Sequence, residues 1–380
     1  MIFSRLVSAL WEDKTISKIS VPYSVMQSNN LDTIQEFAET ACYSRLTEAY
    51  MVDNSTELFK YFGARNGLFR MYPAQGRKNC GSYDPRIRPW FVAAASGPKD
   101  VVLVIDGTNS MARIDGALKV TREAAIAVVG TLNVGDRFTV MALTNGVDVL
   151  LEGSRTFIPA TSVNINDLIL LRATSVNQNN AIEAINNLMP DGQTDIYTAF
   201  ETAFDAIYNT LEQGETSGGP IAILFMSDDQ ISETADTLED AESEAEQILG
   251  LIDDRTLEFA SRPVSRNVTI FTYSLGEDLD HDLLKRIACN TGGIWTSVKN
   301  EDLVAQMSSY YKLFALGLDR KGVATWVEPY TFASRGVLGT TVSVPVYDRN
   351  FFTNIPAMCT SNMFVFDTIH VRAFYYYSPF

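Results

Sequence analysis

Asp106, Thr108 and Ser110 stand at alternate positions of the stretch Asp106-Gly-Thr-Asn-Ser110. One carboxylate and two hydroxyls in a tight loop present only oxygen, the donor type of a hard cation such as magnesium or calcium. Two further loops offer the same chemistry. Gly192-Gln-Thr-Asp195 supplies Thr194, and Phe225-Met-Ser-Asp228 supplies Asp228. Asp106, Thr108, Ser110, Thr194 and Asp228 together give two carboxylates and three hydroxyls, a fitting set for Mg2+ or Ca2+. Magnesium tends to keep several waters, so one position would stay open to a carboxylate from a partner protein. Each loop also has a plainer use, since Asp, Ser and Thr at such turns cap helices by accepting backbone N–H bonds.

These side chains need a scaffold that brings three distant loops to one edge. Val101-Val-Leu-Val-Ile105 is an unbroken apolar run with four β-branched residues, and Ile221-Ala-Ile-Leu-Phe-Met226 is a second. Runs of this kind are strands buried on both faces, which places them inside a parallel sheet. Between and beyond them strands alternate with helices. Asp136–Leu143, Val268–Ser274 and Ile294–Val298 read as strands; Ile114–Leu132, Asn177–Met189, Thr194–Leu211, Glu233–Ala260, Asp282–Cys289 and Asp302–Leu318 read as helices. Such alternation predicts an α/β fold with a doubly wound, mostly parallel sheet, whose carboxyl edge collects the ligand loops.

Composition removes other chemistries. The chain of 380 residues is long enough for two domains, and 46 acids against 30 bases, net −16, leave no basic patch for nucleic acid. The four cysteines, Cys42, Cys80, Cys289 and Cys359, form no CxxC pair, which argues against zinc-ribbon and thioredoxin-like sites. His281 and His370 lack metal-ligand spacing, and His281 lies in an Asp-His-Asp helix start that reads as surface. No run of about 18 apolar residues spans a membrane as written, and Met1–Leu10, with Arg5 inside it, is a poor signal peptide. Asn54-Ser-Thr and Asn267-Val-Thr are glycosylation sequons, a motif that also arises by chance.

The flanks of the alternating block are different. An amphipathic helix is expected over 31–51, Thr56–Gly63 reads as the end of a second helical piece, and Gly67–Pro73 as a short strand. Asp84–Phe91 sets two prolines among basic and aromatic residues. Ala324–Tyr330 and Gly339–Tyr347 look antiparallel, with Pro345 placing the second at an edge. After Asp348 the chain runs to Phe374-Tyr-Tyr-Tyr377 without clear alternation, so the segment after Asn350 reads as the end of a truncated domain.

The three oxygen-bearing loops resemble those of a von Willebrand factor type A domain with its metal-ion-dependent adhesion site, over Pro98 to about Leu318. Thr108 stands where that family usually has serine and keeps the hydroxyl. Asp229 stands where glycine is usual; its carboxylate would compete with a partner's acid or favour calcium, and it is the acid placed for a general base were the site hydrolytic. The flanks, through Gly67-Leu-Phe-Arg-Met-Tyr-Pro73 and Arg86-Ile-Arg-Pro-Trp-Phe91, resemble the alpha-2-delta auxiliary subunits of voltage-gated calcium channels. In that group the type A domain is inserted into a Cache domain. The resemblance divides the chain into 1–97 and 320–380, the two parts of an α+β Cache-like domain, and 98–319, the type A domain.

It further implies a non-enzymatic adhesion or auxiliary module at the cell surface, with a channel pore subunit or another extracellular protein as partner. A Cache pocket holding an amino-acid-like molecule is the alternative. Arg88 would grip its carboxylate, with Trp90, Phe91 and Trp326 as aromatic walls and Glu328 receiving its ammonium. The same residues also read as structure, with Arg88 paired to Glu328 and the tryptophans in the core. In an extracellular chain Cys42 and Cys80 would be open to pairing.

Overall fold

The protein is described from a computed structural model, over residues 12–13, 18–21, 60–63, 67–72, 74–75, 84–113, 116–228, 238–262, 267–275, 282–298, 310, 325–331, 338–347 and 369–376. Two compact units emerge, one made of Met1–Ala95 and Asp319–Phe380, the other of Ser96–Leu318. The helix expected over 31–51, the Cys42–Cys80 pair, Asp229, His281 and, apart from Tyr310, the helix expected over 302–318 lie outside the described residues.

In the Ser96–Leu318 unit, β1 (Asp100–Asp106) leads through α1 (Asn109–Arg113) and α2 (Ala117–Val129) to β2 (Arg137–Thr144) and β3 (Gly146–Val149). Then follow α3 (Ser175–Asn187), α4 (Ile196–Glu212), β4 (Ile221–Ser227), α5 (Leu238–Ala260), β5 (Val268–Leu275), α6 (Asp282–Asn290) and β6 (Trp295–Val298). The sheet order is β6-β5-β4-β1-β2-β3, continued by the short strand Ile158–Pro159. Neighbours from β6 to β2 are parallel, while β3 and Leu171–Arg172 pair with β2 antiparallel. This is the doubly wound, mostly parallel α/β sheet expected from the sequence. Every residue of β1 and of β4 is buried, as their unbroken apolar runs require.

The helices cover the sheet through spaced apolar faces. On α4, Ile196, Ala199, Phe200, Ala203, Phe204 and Ile207 recur at three- and four-residue intervals and are all buried. Phe200 stacks on Phe225 of β4 with ring centroids 5.1 Å apart, which ties this helix to the middle of the sheet. The connection into β4 is tight. A Cβ on Gly219 would lie 1.7 Å from the carbonyl oxygen of Pro98, where no side chain fits. Gly219→Ala must displace the backbone entering β1 and is expected to cost about 3 kcal/mol, the upper end of ordinary overpacking. Urea denaturation measures it, and a loss near zero would show that this entry yields easily.

The other unit contributes Lys18–Ser20, Lys60–Gly63 and Phe69–Tyr72 from before the α/β unit, and Thr325–Thr331, Leu338–Tyr347 and Ile369–Tyr376 from after it, to one antiparallel sheet. Three expectations change here. Lys60–Gly63 is a strand and not the end of a helix, because it is paired on both sides, with Phe69–Tyr72 and with Ile369–Tyr376. Leu338–Tyr347 is interior and not an edge strand. Its proline is tolerated because Thr325–Thr331 reaches only as far as Ser343, so Pro345 pairs with Val371 on one side alone. The aromatic tail also forms a strand, Ile369–Tyr376, lying between Leu338–Tyr347 and Lys60–Gly63. Finally, Pro89–Ser96 is a helix that begins on its proline, whose fixed φ and missing N–H suit the first helical position.

Candidate metal centre

The oxygen cluster forms at the carboxyl edge of the sheet, where β1 has β2 on one side and β4 on the other. The chain leaves β1 in one direction and returns to its far side as β4, the switch point at which open α/β sheets hold ligands. Asp106, the last residue of β1, is fully buried. Its Oδ1 accepts the backbone N–H of Thr108 at 3.0 Å and the Thr108 hydroxyl at 2.7 Å. The Thr108 Oγ1 in turn lies 2.9 Å from Ser110 Oγ and 3.2 Å from Thr194 Oγ1. Four of the five residues read from the sequence therefore meet in one buried hydrogen-bonded cluster. The fifth, Asp228, directly follows β4 and is buried without exposed surface.

Backbone contacts hold the loops in place. The Asp191 N–H donates to the Gly107 carbonyl at 3.0 Å, and the Asn109 N–H donates to the Gly192 carbonyl at 3.2 Å. Gly192 itself has φ +72° and leaves 2.3 Å between a notional Cβ and the Thr144 oxygen, so only glycine lets this loop approach β2. Asp195 takes the capping role that the sequence left open to it, its carboxylate accepting the Thr198 N–H at 2.9 Å as the N-cap of α4.

Burial pushes the Asp106 carboxyl above the usual carboxylate range; hydrogen bonds from Ser227 and Thr108 pull the other way, and the charge of Asp228 adds to the rise. Two buried acids within electrostatic reach of each other, edged by the hydroxyls of Thr108 and Ser227, fit a hard divalent cation.

Ser227 is a contributor that the sequence does not single out, standing between the apolar run Ile221–Met226 and Asp228. Its hydroxyl donates to Asp106 Oδ2 at 2.6 Å and is fully buried. The pattern holds a faint sign of it, a lone hydroxyl closing an otherwise apolar strand. With Thr108 on one carboxylate oxygen and Ser227 on the other, the Asp106 side chain is fixed in orientation. Ser227→Ala is expected to lower magnesium affinity about tenfold, the lower range for a residue that orients a ligand. Calorimetric titration measures this, and unchanged affinity would make the Ser227 contact incidental.

The residues considered for an amino-acid pocket are placed as follows. Arg88 is half-buried at the start of the helix Pro89–Ser96, its carbonyl accepting the N–H groups of Phe91 and Val92. Trp90 and Phe91 are buried, with Trp90 edge-on to Tyr61 at 4.8 Å and to Phe91 at 5.7 Å. Both rings are thus part of the interior packing of their unit. Trp326 and Glu328 lie on the strand Thr325–Thr331, and their side chains are outside the described residues.

A family model for the von Willebrand factor type A domain matches residues 100–309. Among curated proteins, voltage-dependent calcium channel subunit alpha-2/delta-3 of Rattus norvegicus is 25% identical over 309 residues, covering 77% of this chain and 25% of that protein. Subunit alpha-2/delta-4 of Homo sapiens is 23% identical over 354 residues, covering 88% and 28%. The chain thus spans about a quarter of the length of these relatives. Among solved structures, a von Willebrand factor type A protein from Catenulispora acidiphila is similar at 17% identity and a TM-score of 0.42, covering 74% of this chain and 58% of that one.

Proposed function

Because the chain belongs to the von Willebrand factor type A family, we propose that it is a non-enzymatic module that grips partner proteins through a divalent cation. The observation that carries this reading is the Thr108 hydroxyl, which lies within hydrogen-bond distance of Asp106, Ser110 and Thr194 at once. Oxygens from two separate loops converge there, and Asp228 follows the strand beside β1. Asp106 and Asp228 would carry the negative charge, while Thr108, Ser110 and Thr194 offer hydroxyl lone pairs. Ser227 holds Asp106 in its rotamer. A bound Mg2+ or Ca2+ would supply the positive centre that attracts a partner's carboxylate.

The similarity to proteins named as calcium channel subunits supports a channel pore subunit as the partner, and with it an extracellular, membrane-associated setting. Among the described residues no helix is long and apolar enough to cross a membrane.

Titration of the purified chain with magnesium and with calcium, beside Thr108→Val, tests the proposal. The variant keeps the side-chain shape but removes the oxygen shared by three neighbours, and its affinity is expected to fall by roughly tenfold or more. Equal affinity in the two proteins would overturn the reading.

A further inference from the structure

The sequon Asn267-Val-Thr269 has no part in the cation site, and the fold gives it a position of its own. Asn267 is exposed and directly precedes β5, while Val268 is buried and Thr269 half-buried. An attached glycan is bulky and polar and needs a side chain that ends in water. Asn267 meets that condition, and Val268 at the middle position satisfies the requirement for a residue other than proline. Val268 pairs in register with Ile221 of β4, which pairs with Asp100, the first residue of β1. The acceptor therefore sits at the foot of the sheet and Asp106 at its opposite edge. Six residue steps at about 3.3 Å put roughly 20 Å between the two ends of the strand.

We propose that Asn267 is an N-glycan acceptor, placed so that its sugar chain leaves the cation edge clear; the inference rests on the extracellular setting proposed above. In the reaction the Asn267 amide nitrogen bonds to the anomeric carbon of a polyprenyl-diphosphate-linked oligosaccharide. The anomeric C–O bond breaks with its electron pair departing on the diphosphate, and the amide loses one proton to a base of the transferase.

The test is to secrete the full chain from eukaryotic cells behind an added leader, and to read tryptic peptides before and after enzymatic deglycosylation. The peptide from Asn267 to Lys285 carries this sequon alone, and a separate peptide over 46–60 reports Asn54. The expected result is a glycan at Asn267, leaving aspartate at that position once removed. It is lost in Asn267→Gln and Thr269→Ala, kept in Thr269→Ser, and magnesium affinity is the same with and without it. A secreted chain with an unmodified Asn267 overturns the proposal. The added leader separates that failure from failure of the extracellular reading, which is tested by whether the native protein reaches the cell surface. A magnesium affinity that rises on deglycosylation would overturn the claim that the sugar leaves the edge clear.

Discussion

Asp106→Asn is expected to weaken magnesium binding by roughly 100-fold, at the limit set for residues that only orient a ligand and about 2.8 kcal/mol in binding. The metal-free chain should remain as stable as wild type, or more so. Asparagine is nearly the same shape, and its oxygen can still accept the Thr108 N–H and hydroxyl that Asp106 Oδ1 accepts now. Its amide nitrogen would face Ser227, whose hydroxyl can turn from donor to acceptor. What disappears is a charge that is fully buried beside a second acid, Asp228. Removing it relieves desolvation and repulsion in the empty site and deletes an ionic ligand from the filled one. Titration calorimetry gives the affinity, and thermal melts in chelator and in excess magnesium give the stability. Wild type should gain stability with magnesium by mass action, and the variant should gain almost none at the same concentration. Unchanged affinity would sink the metal reading. A metal-free variant melting far below wild type would assign Asp106 a structural hydrogen-bonding role.

The contrast between Asp106 and Ser227 shows how much of this site could be read in advance. Asp106, Thr108 and Ser110 are legible because they are neighbours in the chain at the end of an unmistakable buried strand. Ser227 is not, because its role depends on β4 lying beside β1 with Met226 opposite Ile105. Sheet order is set by how helices cross over, and the nearest strand in sequence after β1 is β2, on the other side. The flanking unit was harder for a related reason. Ile369–Tyr376 pairs on both sides, yet its aromatic residues are consecutive in the sequence and erase the alternation that would mark it. Lys60–Gly63 is only four residues long and carries too few positions to separate a strand from a helical turn. In both cases one of the two partner strands comes from hundreds of residues away, where local pattern holds no information.

The largest effect on stability is expected at the foot of the same sheet, from Asp136→Ala. Lys99 precedes β1 and Asp136 precedes β2, and their side chains are 0% and 2% exposed. Asp136 accepts the Lys99 ammonium at 2.9 Å, the Lys99 backbone N–H at 3.0 Å and the Asn133 N–H at 2.8 Å. Burial pushes the Asp136 carboxyl up, and Lys99 with the two N–H groups opposes that rise. A buried pair of this kind is worth little net against apolar residues of the same volume, since both charges have left water. Breaking it is another matter, because Asp136→Ala strands an ammonium with no access to solvent. The expected loss is about 3–5 kcal/mol, with a similar loss for Lys99→Met, which strands the carboxylate. The double variant Lys99→Met with Asp136→Ala should lose clearly less than the sum of the two single losses, giving a large coupling in the double-mutant cycle, while the Lys99 and Asn133 N–H groups left without their acceptor keep it below wild type. Urea denaturation of the four proteins measures all three quantities. If the single losses are small and simply add, water reaches the pair and it does not lock the strand entries together. Magnesium affinity should survive in every variant that folds, because β1 separates the pair from Asp106 by its whole length. A variant that lost stability and cation binding together would mean that the two ends of β1 are coupled, and that the ion site is strained from below by the residues that anchor the strand.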